Sequence, residues 1–147
     1  MPRLALALAA LALAAAAHAS GGAAPAGGPD AARTYRIVTD GSTAALKRGE
    51  KGKVVVAIEP LEKGVHVNRE FPLKYRLQAS PGLALAKGEV VRADAVDPAA
   101  ENPRFEVPFT ASAAGAQQVT IQMRFAICSD TWCVPQQRTV TVPVDVR

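Results

Sequence analysis

The segment VTIQMRFAICSDTWCVPQQRTVTVPVDV, residues 119–146, decides the fold. Apolar residues occupy the odd-numbered positions from Val119 to Ile127 and the even-numbered positions from Val140 to Val146. Side chains that alternate in this way lie on opposite faces of a β-strand, so that one face of each strand is buried. A short polar loop with a cysteine at each end separates the two runs. The segment is therefore predicted to form a β-hairpin.

Period-two patterns recur through most of the preceding chain. They predict short strands at 35–38, 53–59, 65–67, 71–77, 83–85, 90–91 and 105–109. Proline and glycine turn signals separate these runs, and residues 92–103 are predicted to be a loop. About seven to nine short strands with frequent turns are typical of an antiparallel β-sandwich. We therefore predict an all-β, immunoglobulin-like sandwich, with a small closed barrel as the alternative.

Residues 1–19 have the composition of a signal peptide. Arg3 supplies the basic start, residues 4–17 are an unbroken Leu/Ala run, and Ala17-His18-Ala19 places small residues at a cleavage site. The apolar run is shorter than the roughly 20 residues that a membrane helix needs. No cysteine follows it as a site for a lipid anchor. We expect a periplasmic or secreted product with no membrane span after signal cleavage.

The next segment, residues 20–33, is rich in Gly, Ala and Pro and has almost no bulky side chains. Such a composition buries too little apolar surface to offset the entropy of ordering, which predicts a flexible leader. One folded domain is then expected over residues 34–147. The formal net charge is +4, but the basic residues are scattered and interrupted by acidic ones. This pattern predicts a solvated surface and no nucleic-acid partner.

The chain has two cysteines, Cys128 and Cys133, at the two ends of the hairpin loop. A disulfide needs Cα atoms roughly 4.4–6.8 Å apart, and facing hairpin residues lie about 4.5–5.5 Å apart. Because an exported chain meets an oxidising compartment, we predict a disulfide between them. Counting positions along both strands puts the two cysteines on the outer face, away from the core. Both sulfurs are therefore expected to be open to an attacking thiolate.

The cysteine spacing alone leaves two functions open. A disulfide that closes so short a loop contributes only about 2 kcal/mol in the chain-entropy model. It is either a structural staple in a non-enzymatic β-sandwich interaction module, or a redox centre for thiol–disulfide exchange.

Other polar residues give weaker signals. His66 lies between Val65 and Val67 and is predicted to be a lone exposed histidine. Asp130 would disfavour a nearby thiolate, whereas Arg124 and Arg138 would favour one if they lie close to it. One histidine and two disulfide-bonded cysteines do not make a zinc site, so no metal or other cofactor is predicted. No Gly-x-Ser-x-Gly motif or carboxylate pair suggests hydrolysis.

The stretch VTIQMRFAICSDTWCVPQQRTVTVPVDV at residues 119–146 resembles one known family, most specifically in its Cys-x4-Cys-x-Pro element. The segment GVHVNREFPLKYRL at residues 64–77 resembles the same family more loosely. It is the N-terminal periplasmic domain of the thiol:disulfide interchange protein DsbD. The resemblance implies an immunoglobulin-like fold and electron transfer outside the cytoplasm. It implies that Cys133 forms mixed disulfides with thioredoxin-fold or DsbD-like periplasmic proteins, and that Cys128 is the resolving cysteine. Both would then be catalytic.

The resemblance also bears on neighbouring groups and on classification. Trp132, directly before Cys133, is a candidate shield for the sulfurs, since the family covers its cysteines with aromatic residues. Exchange through a mixed disulfide needs no metal or organic cofactor. A role as a protein-disulfide reductase or interchange component is consistent with the resemblance, which by itself does not establish an enzyme.

Overall fold

The computed structural model describes residues 30–147. The predicted signal peptide and residues 20–29 of the predicted leader lie outside the described residues. The described part opens with a short 3-10 helix, Ala31–Arg33, in which Ala31 is buried. Thr34 closes this turn because both its backbone N–H and its hydroxyl donate to the Ala31 carbonyl. Residues 31–33, at the end of the predicted leader, are therefore held next to β1.

Ten strands make up the fold of residues 30–147. They are β1 (Tyr35–Val38), β2 (Ala45–Leu46), β3 (Lys51–Pro60), β4 (His66–Val67), β5 (Lys74–Ala79), β6 (Leu83–Leu85), β7 (Glu89–Val91), β8 (Arg104–Ala111), β9 (Gly115–Cys128) and β10 (Cys133–Val146). A second 3-10 helix covers Arg92–Asp94 within the predicted loop. The two-residue β2 has no counterpart among the predicted strands. No helix in residues 30–147 is long and apolar enough to cross a membrane.

The strands form two sheets. One has the order β1-β3-β8-β6, and the other has the order β2-β10-β9-β5-β7, with β4 also paired to β9. Every pairing is antiparallel except that of β2 with β10. The sheets pack face to face in an immunoglobulin-like sandwich, which confirms the predicted fold class. Edge-to-face aromatic pairs join them, with ring centroids 4.9 Å apart for Tyr75 and Phe105 and 5.4 Å apart for Tyr35 and Phe125.

The predicted hairpin is a long, regular ribbon. All 14 residues of β10 have a partner in β9, from Cys133 opposite Cys128 to Val146 opposite Gly115. The register holds throughout, so no bulge interrupts the alternation of faces. The odd-numbered residues of β9 from Val119 to Ile127 are buried in the core, as the sequence predicts.

The opposite edge of β9 holds two strands in succession. β5 pairs from Lys74 opposite Arg124 onward, whereas β4 pairs His66 with Cys128 and Val67 with Ile127. Residues 68–73 join β4 to β5. These six residues bridge only the two positions of β9 that lie between Ile127 and Arg124, so the segment is longer than the gap it closes. We call this segment the 68–73 excursion. Its first residue, Asn68, directly follows β4 at the cysteine end of the ribbon.

Candidate functional site

The disulfide joins the last residue of β9 to the first residue of β10. Cys128 and Cys133 are register partners, their Cα atoms lie 4.1 Å apart, and their sulfurs are bonded. Directly opposite residues in a ladder project from the same face. Both cysteines therefore lie on the outer face of the six-stranded sheet, which confirms the predicted pairing and the predicted face.

A four-residue loop, Ser129–Trp132, connects the cysteines. The Ser129 N–H donates to the Trp132 carbonyl at 2.8 Å, and the Thr131 N–H donates to the Ser129 hydroxyl at 3.3 Å. Trp132 is partly buried and packs against the hydrophobic core. Shielding of the sulfurs by Trp132 stays a prediction, and the contacts to the sulfurs described below come from another residue.

The two cysteines differ sharply in exposure. Cys133 is exposed, whereas Cys128 is only 2% exposed. The prediction that both would be open is therefore wrong for Cys128. The reason is that β4 and the 68–73 excursion flank β9 on the side opposite β10. Ala126, the next outer-face residue of β9, is buried at the same place, with 4% exposure.

The Asn68 side chain contacts the disulfide. Its Nδ2 lies 3.2 Å from Cys128 Sγ and 3.7 Å from Cys133 Sγ. Its Oδ1 accepts the backbone N–H groups of Glu70 and Phe71 at 2.8 and 2.6 Å, in an Asx turn that opens the excursion. Two donors on Oδ1 assign the amide orientation, since a flipped amide would face both N–H groups with its own donors.

Backbone bonds hold Asn68 against the ribbon. The Asn68 N–H donates to the Ala126 carbonyl at 2.9 Å. The guanidinium of Arg92 donates to the carbonyls of Asn68, Val67 and Ala100 at 3.1, 3.4 and 3.0 Å. Burial lowers the pKa of Arg92, as does the nearby charge of Arg69. Arg92 therefore ties β4 to the loop that follows the second 3-10 helix.

His66 is a second residue that the sequence analysis did not place at the site. It is half-buried and lies directly opposite Cys128 in the ladder, on the side away from Cys133. His66, Cys128 and Cys133 thus form a row across three strands of the outer face. Its Nδ1 lies 3.2 Å from the Gly64 carbonyl, which orients the ring. His66 points away from the buried Val65 and Val67, as the sequence predicts, but the sequence does not show that β4 pairs with β9 and places His66 opposite Cys128.

The charged residues near the cysteines in sequence take up different positions around the disulfide. Arg124 is on the outer face, one side-chain position beyond Ala126, with its guanidinium carbon 5.9 Å from the centre of the Phe71 ring. Arg138 contacts the Tyr35 ring at 5.8 Å and donates to Gln136 Oε1 at 2.8 Å. These contacts direct Arg138 toward β1 instead of the sulfurs. Asp130 is exposed in the hairpin loop.

A shallow basic groove lies on the same outer face as the disulfide. It has a volume of about 470 Å³ and is lined by Lys74, Arg76, Gln122, Met123, Arg124, Gln137, Arg138 and Thr139. All of its charged lining residues are cations. Glu89, on β7, forms ion pairs with Lys74 at 3.0 Å and with Arg76 at 3.4 Å. We call this feature the outer groove. Within residues 30–147, no group of three or more His, Cys, Asp or Glu side chains is arranged to hold a metal ion.

Comparisons with known proteins give distant matches. No protein-family model and no curated protein matches the chain. Domains 4 and 5 of the S-layer protein SbsC match with a TM-score of 0.40 and 15% identity, over 76% of this chain and 44% of that structure. The chain thus spans less than half of that structure's length.

Two Bacteroides proteins match at a similar level. A conjugate transposon protein from Bacteroides vulgatus has a TM-score of 0.40 and 11% identity over 76% of this chain and 83% of its own. A lipoprotein from Bacteroides thetaiotaomicron has a TM-score of 0.40 and 19% identity over 73% and 77%. Matches at this level transfer no function to the chain, so its chemistry rests on the disulfide site itself.

Proposed function

We propose that the domain is an extracytoplasmic thiol–disulfide exchange module that passes electrons to or from thioredoxin-fold partners through Cys128 and Cys133. The unequal exposure of the two cysteines carries this proposal. Exchange begins when a thiolate attacks one sulfur along the disulfide axis, so access selects the sulfur that is attacked. Cys133 is exposed and Cys128 is buried, which gives the two sulfurs separate roles.

The exchange step follows from these roles. A partner thiolate attacks Cys133 Sγ, a partner–Cys133 disulfide forms, and the Cys128–Cys133 bond breaks. Its electron pair leaves on Cys128 Sγ as a thiolate. In the reverse direction the Cys128 thiolate attacks Cys133 Sγ and expels the partner thiolate. In the first direction a dithiol partner is the reductant, because its second thiolate then attacks the partner sulfur of the mixed disulfide and releases Cys133 as a thiolate. In the second direction a partner disulfide is the oxidant, because the Cys133 thiolate first attacks it to form the mixed disulfide that the Cys128 thiolate resolves.

The resemblance to the DsbD N-terminal domain supports the same assignment. It implies the partner-binding role for Cys133 and the resolving role for Cys128. The predicted signal peptide supports a location where thioredoxin-fold proteins exchange disulfides. No cofactor is part of the proposal, because the electrons travel in the thiol–disulfide bonds.

The charge of the outer groove indicates which kind of partner surface would dock on it. Arg124 lies four residues along β9 from Cys128, which is about 13 Å at the usual rise per residue. A partner that places its reactive thiol on Cys133 would cover this groove. We propose that the partner presents carboxylates there, because opposite charges speed encounter and fix orientation.

Redox titration and trapping test the proposal. The mature chain is equilibrated with glutathione buffers, and a reduction potential above about −300 mV is expected, since structural disulfides lie below that value. Cys128→Ser leaves Cys133 free to hold a partner covalently, with Cys133→Ser as the matched control. Mass spectrometry should find mixed disulfides mainly with Cys128→Ser. A potential below −300 mV, or equal trapping by the two variants, contradicts the proposal.

One observation favours the alternative of a non-enzymatic module with a structural disulfide. Cys128 is buried, as structural cysteines are, and the bond closes the end of the longest ribbon. Replacing both cysteines by serine separates the two functions. An exchange module should keep its fold and lose about 2 kcal/mol of unfolding free energy. A much larger loss, with partner binding retained in a restabilised variant, would support the staple.

A further inference from the structure

Asn68 is placed where the charge of the proposed exchange reaction appears. The step leaves a thiolate on Cys128, a group that is 2% exposed and therefore has little access to water. A buried charge is costly unless a hydrogen-bond donor meets it. The Asn68 amide nitrogen, 3.2 Å from Cys128 Sγ, is such a donor.

The amide is held in this position before any reaction. Its oxygen is occupied by the N–H groups of Glu70 and Phe71, so its nitrogen faces the sulfurs. Its backbone is bonded to Ala126 on β9 and to Arg92. A donor that is fixed in advance costs no reorganisation when charge develops, which is the physical basis of oxyanion holes.

We propose that Asn68 is a catalytic residue of the exchange reaction, whose side-chain N–H stabilises the leaving thiolate of Cys128. This inference rests on the proposed function. The same donor lies closer to Cys128 Sγ than to Cys133 Sγ, by 3.2 against 3.7 Å. It therefore favours charge on the resolving sulfur over charge on the attacked one. The donor therefore speeds attack at Cys133, which leaves the charge on Cys128, more than attack at Cys128.

The variant Asn68→Asp tests the donor without removing the turn. Aspartate keeps an oxygen for the N–H groups of Glu70 and Phe71 but replaces the donor with a second acceptor. Loss of a hydrogen bond to a charged group corresponds to a rate decrease of about tenfold or more. We expect dithiothreitol to reduce Asn68→Asp at least about tenfold more slowly than the unaltered protein. We also expect a higher Cys128 pKa and a more negative reduction potential.

Asn102→Asp is the matched control. Asn102 accepts a hydrogen bond from the Val67 N–H at 3.2 Å through Oδ1, an atom that aspartate retains. The substitution adds the same charge beside β4 at a group that does not donate to the sulfurs. We expect it to change the dithiothreitol rate by less than about twofold and to leave the reduction potential close to that of the unaltered protein, because the Asn68 donor stays in place.

The outcomes separate the inference from the proposed function. If the unaltered protein resists dithiothreitol or has a structural potential, the exchange function fails. If the unaltered protein reacts and Asn68→Asp matches Asn102→Asp, only the role of Asn68 is overturned. Should Asn68→Asp not fold, NMR of the unaltered reduced protein decides. The Asn68 side-chain amide protons must then titrate together with Cys128, and their failure to do so overturns the inference.

Discussion

Cys128 and Cys133 share one bond and one face of the sheet, but their surroundings differ. Cys133 begins β10 and is exposed, whereas Cys128 lies between β10 and β4. Asn68 and His66 therefore lie next to Cys128 on the edge of β9 that does not pair with β10. The two sulfurs differ in exposure because the strands paired beside each cysteine differ.

Reactivity of the reduced protein reports this difference directly. With a bulky maleimide that depends on access, we expect Cys133 to be modified at least about tenfold faster than Cys128. Timed labelling followed by peptide mass spectrometry gives the two rates. Labelling in denaturant is the control, where both residues should react alike. Equal rates in the folded protein would contradict the assigned roles.

Gly52 makes a second prediction at the scale of one residue. It lies opposite Phe109 across β3 and β8, and a Cβ added there would lie 2.6 Å from Phe109 Cζ. Since Phe109 is buried, Gly52→Ala must displace a core ring and should cost about 1–3 kcal/mol of unfolding free energy. Urea denaturation measures the loss.

Gly88→Ala is the control for that measurement. Its added Cβ would meet only the Leu77 carbonyl oxygen, at an ordinary 3.8 Å. We expect a change within about 0.5 kcal/mol, or a slight gain from reduced freedom of the unfolded chain. Similar losses for the two variants would show that Phe109 does not pack over Gly52 in solution.

At the scale of elements, β4 is too short to be stable by itself. Its two residues are held by pairing with β9 and by the guanidinium of Arg92, which donates to the carbonyls of Val67 and Asn68. Arg92 comes from the region that the sequence predicts to be a loop. The sequence does not show that this loop supports the cysteine end of the ribbon.

Ion pairs between β5 and β7 give a prediction about pH. Hydrogen bonding from Lys74 lowers the pKa of Glu89 below its ordinary value of 4.5, and Arg76 adds to the effect. A lowered pKa in the folded state means that the stabilisation is present above pH 4.5 and is lost as pH falls through the folded value. Glu89→Gln should therefore melt below the unaltered protein at pH 7.

Thermal melts at several pH values check this prediction. The difference between the two proteins should shrink as pH falls below 4.5 and vanish once Glu89 is protonated in the folded protein. High salt at pH 7 should also reduce it, because the pair is exposed and screened. A difference that persists unchanged as pH falls would assign the effect to packing of the side chain.

At the scale of the whole molecule, the six-stranded sheet presents the disulfide and the outer groove on one surface. If an acidic partner docks there, the rate of exchange should fall as ionic strength rises. Arg124→Glu should remove most of that salt dependence. Stopped-flow exchange with a thioredoxin-fold protein of acidic surface, at several salt concentrations, measures it.

Lys51→Glu serves as the control for Arg124→Glu. Lys51 is exposed at the start of β3 in the other sheet, and the substitution changes the net charge by the same amount. Exchange with this variant should keep the salt dependence of the unaltered protein. Equal effects of the two substitutions would mean that overall charge, and not the outer groove, governs the encounter.

Much of this molecule follows from local pattern. Alternation along residues 119–146 determines the ribbon, the buried face and the common face of Cys128 and Cys133, because a side chain's face depends only on its position in the strand. The spacing of two cysteines across a four-residue loop determines their pairing. These features need no knowledge of distant strands.

Only the tertiary structure decides which strand lies on the other flank of β9. That choice buries Cys128, places His66 beside it and brings the Asn68 amide within 3.2 Å of its sulfur. Residues 66–68 are some sixty positions from the cysteines, and Arg92 reaches them from a third region. Pairing over such separations is set by packing of the complete core, which no local alternation encodes.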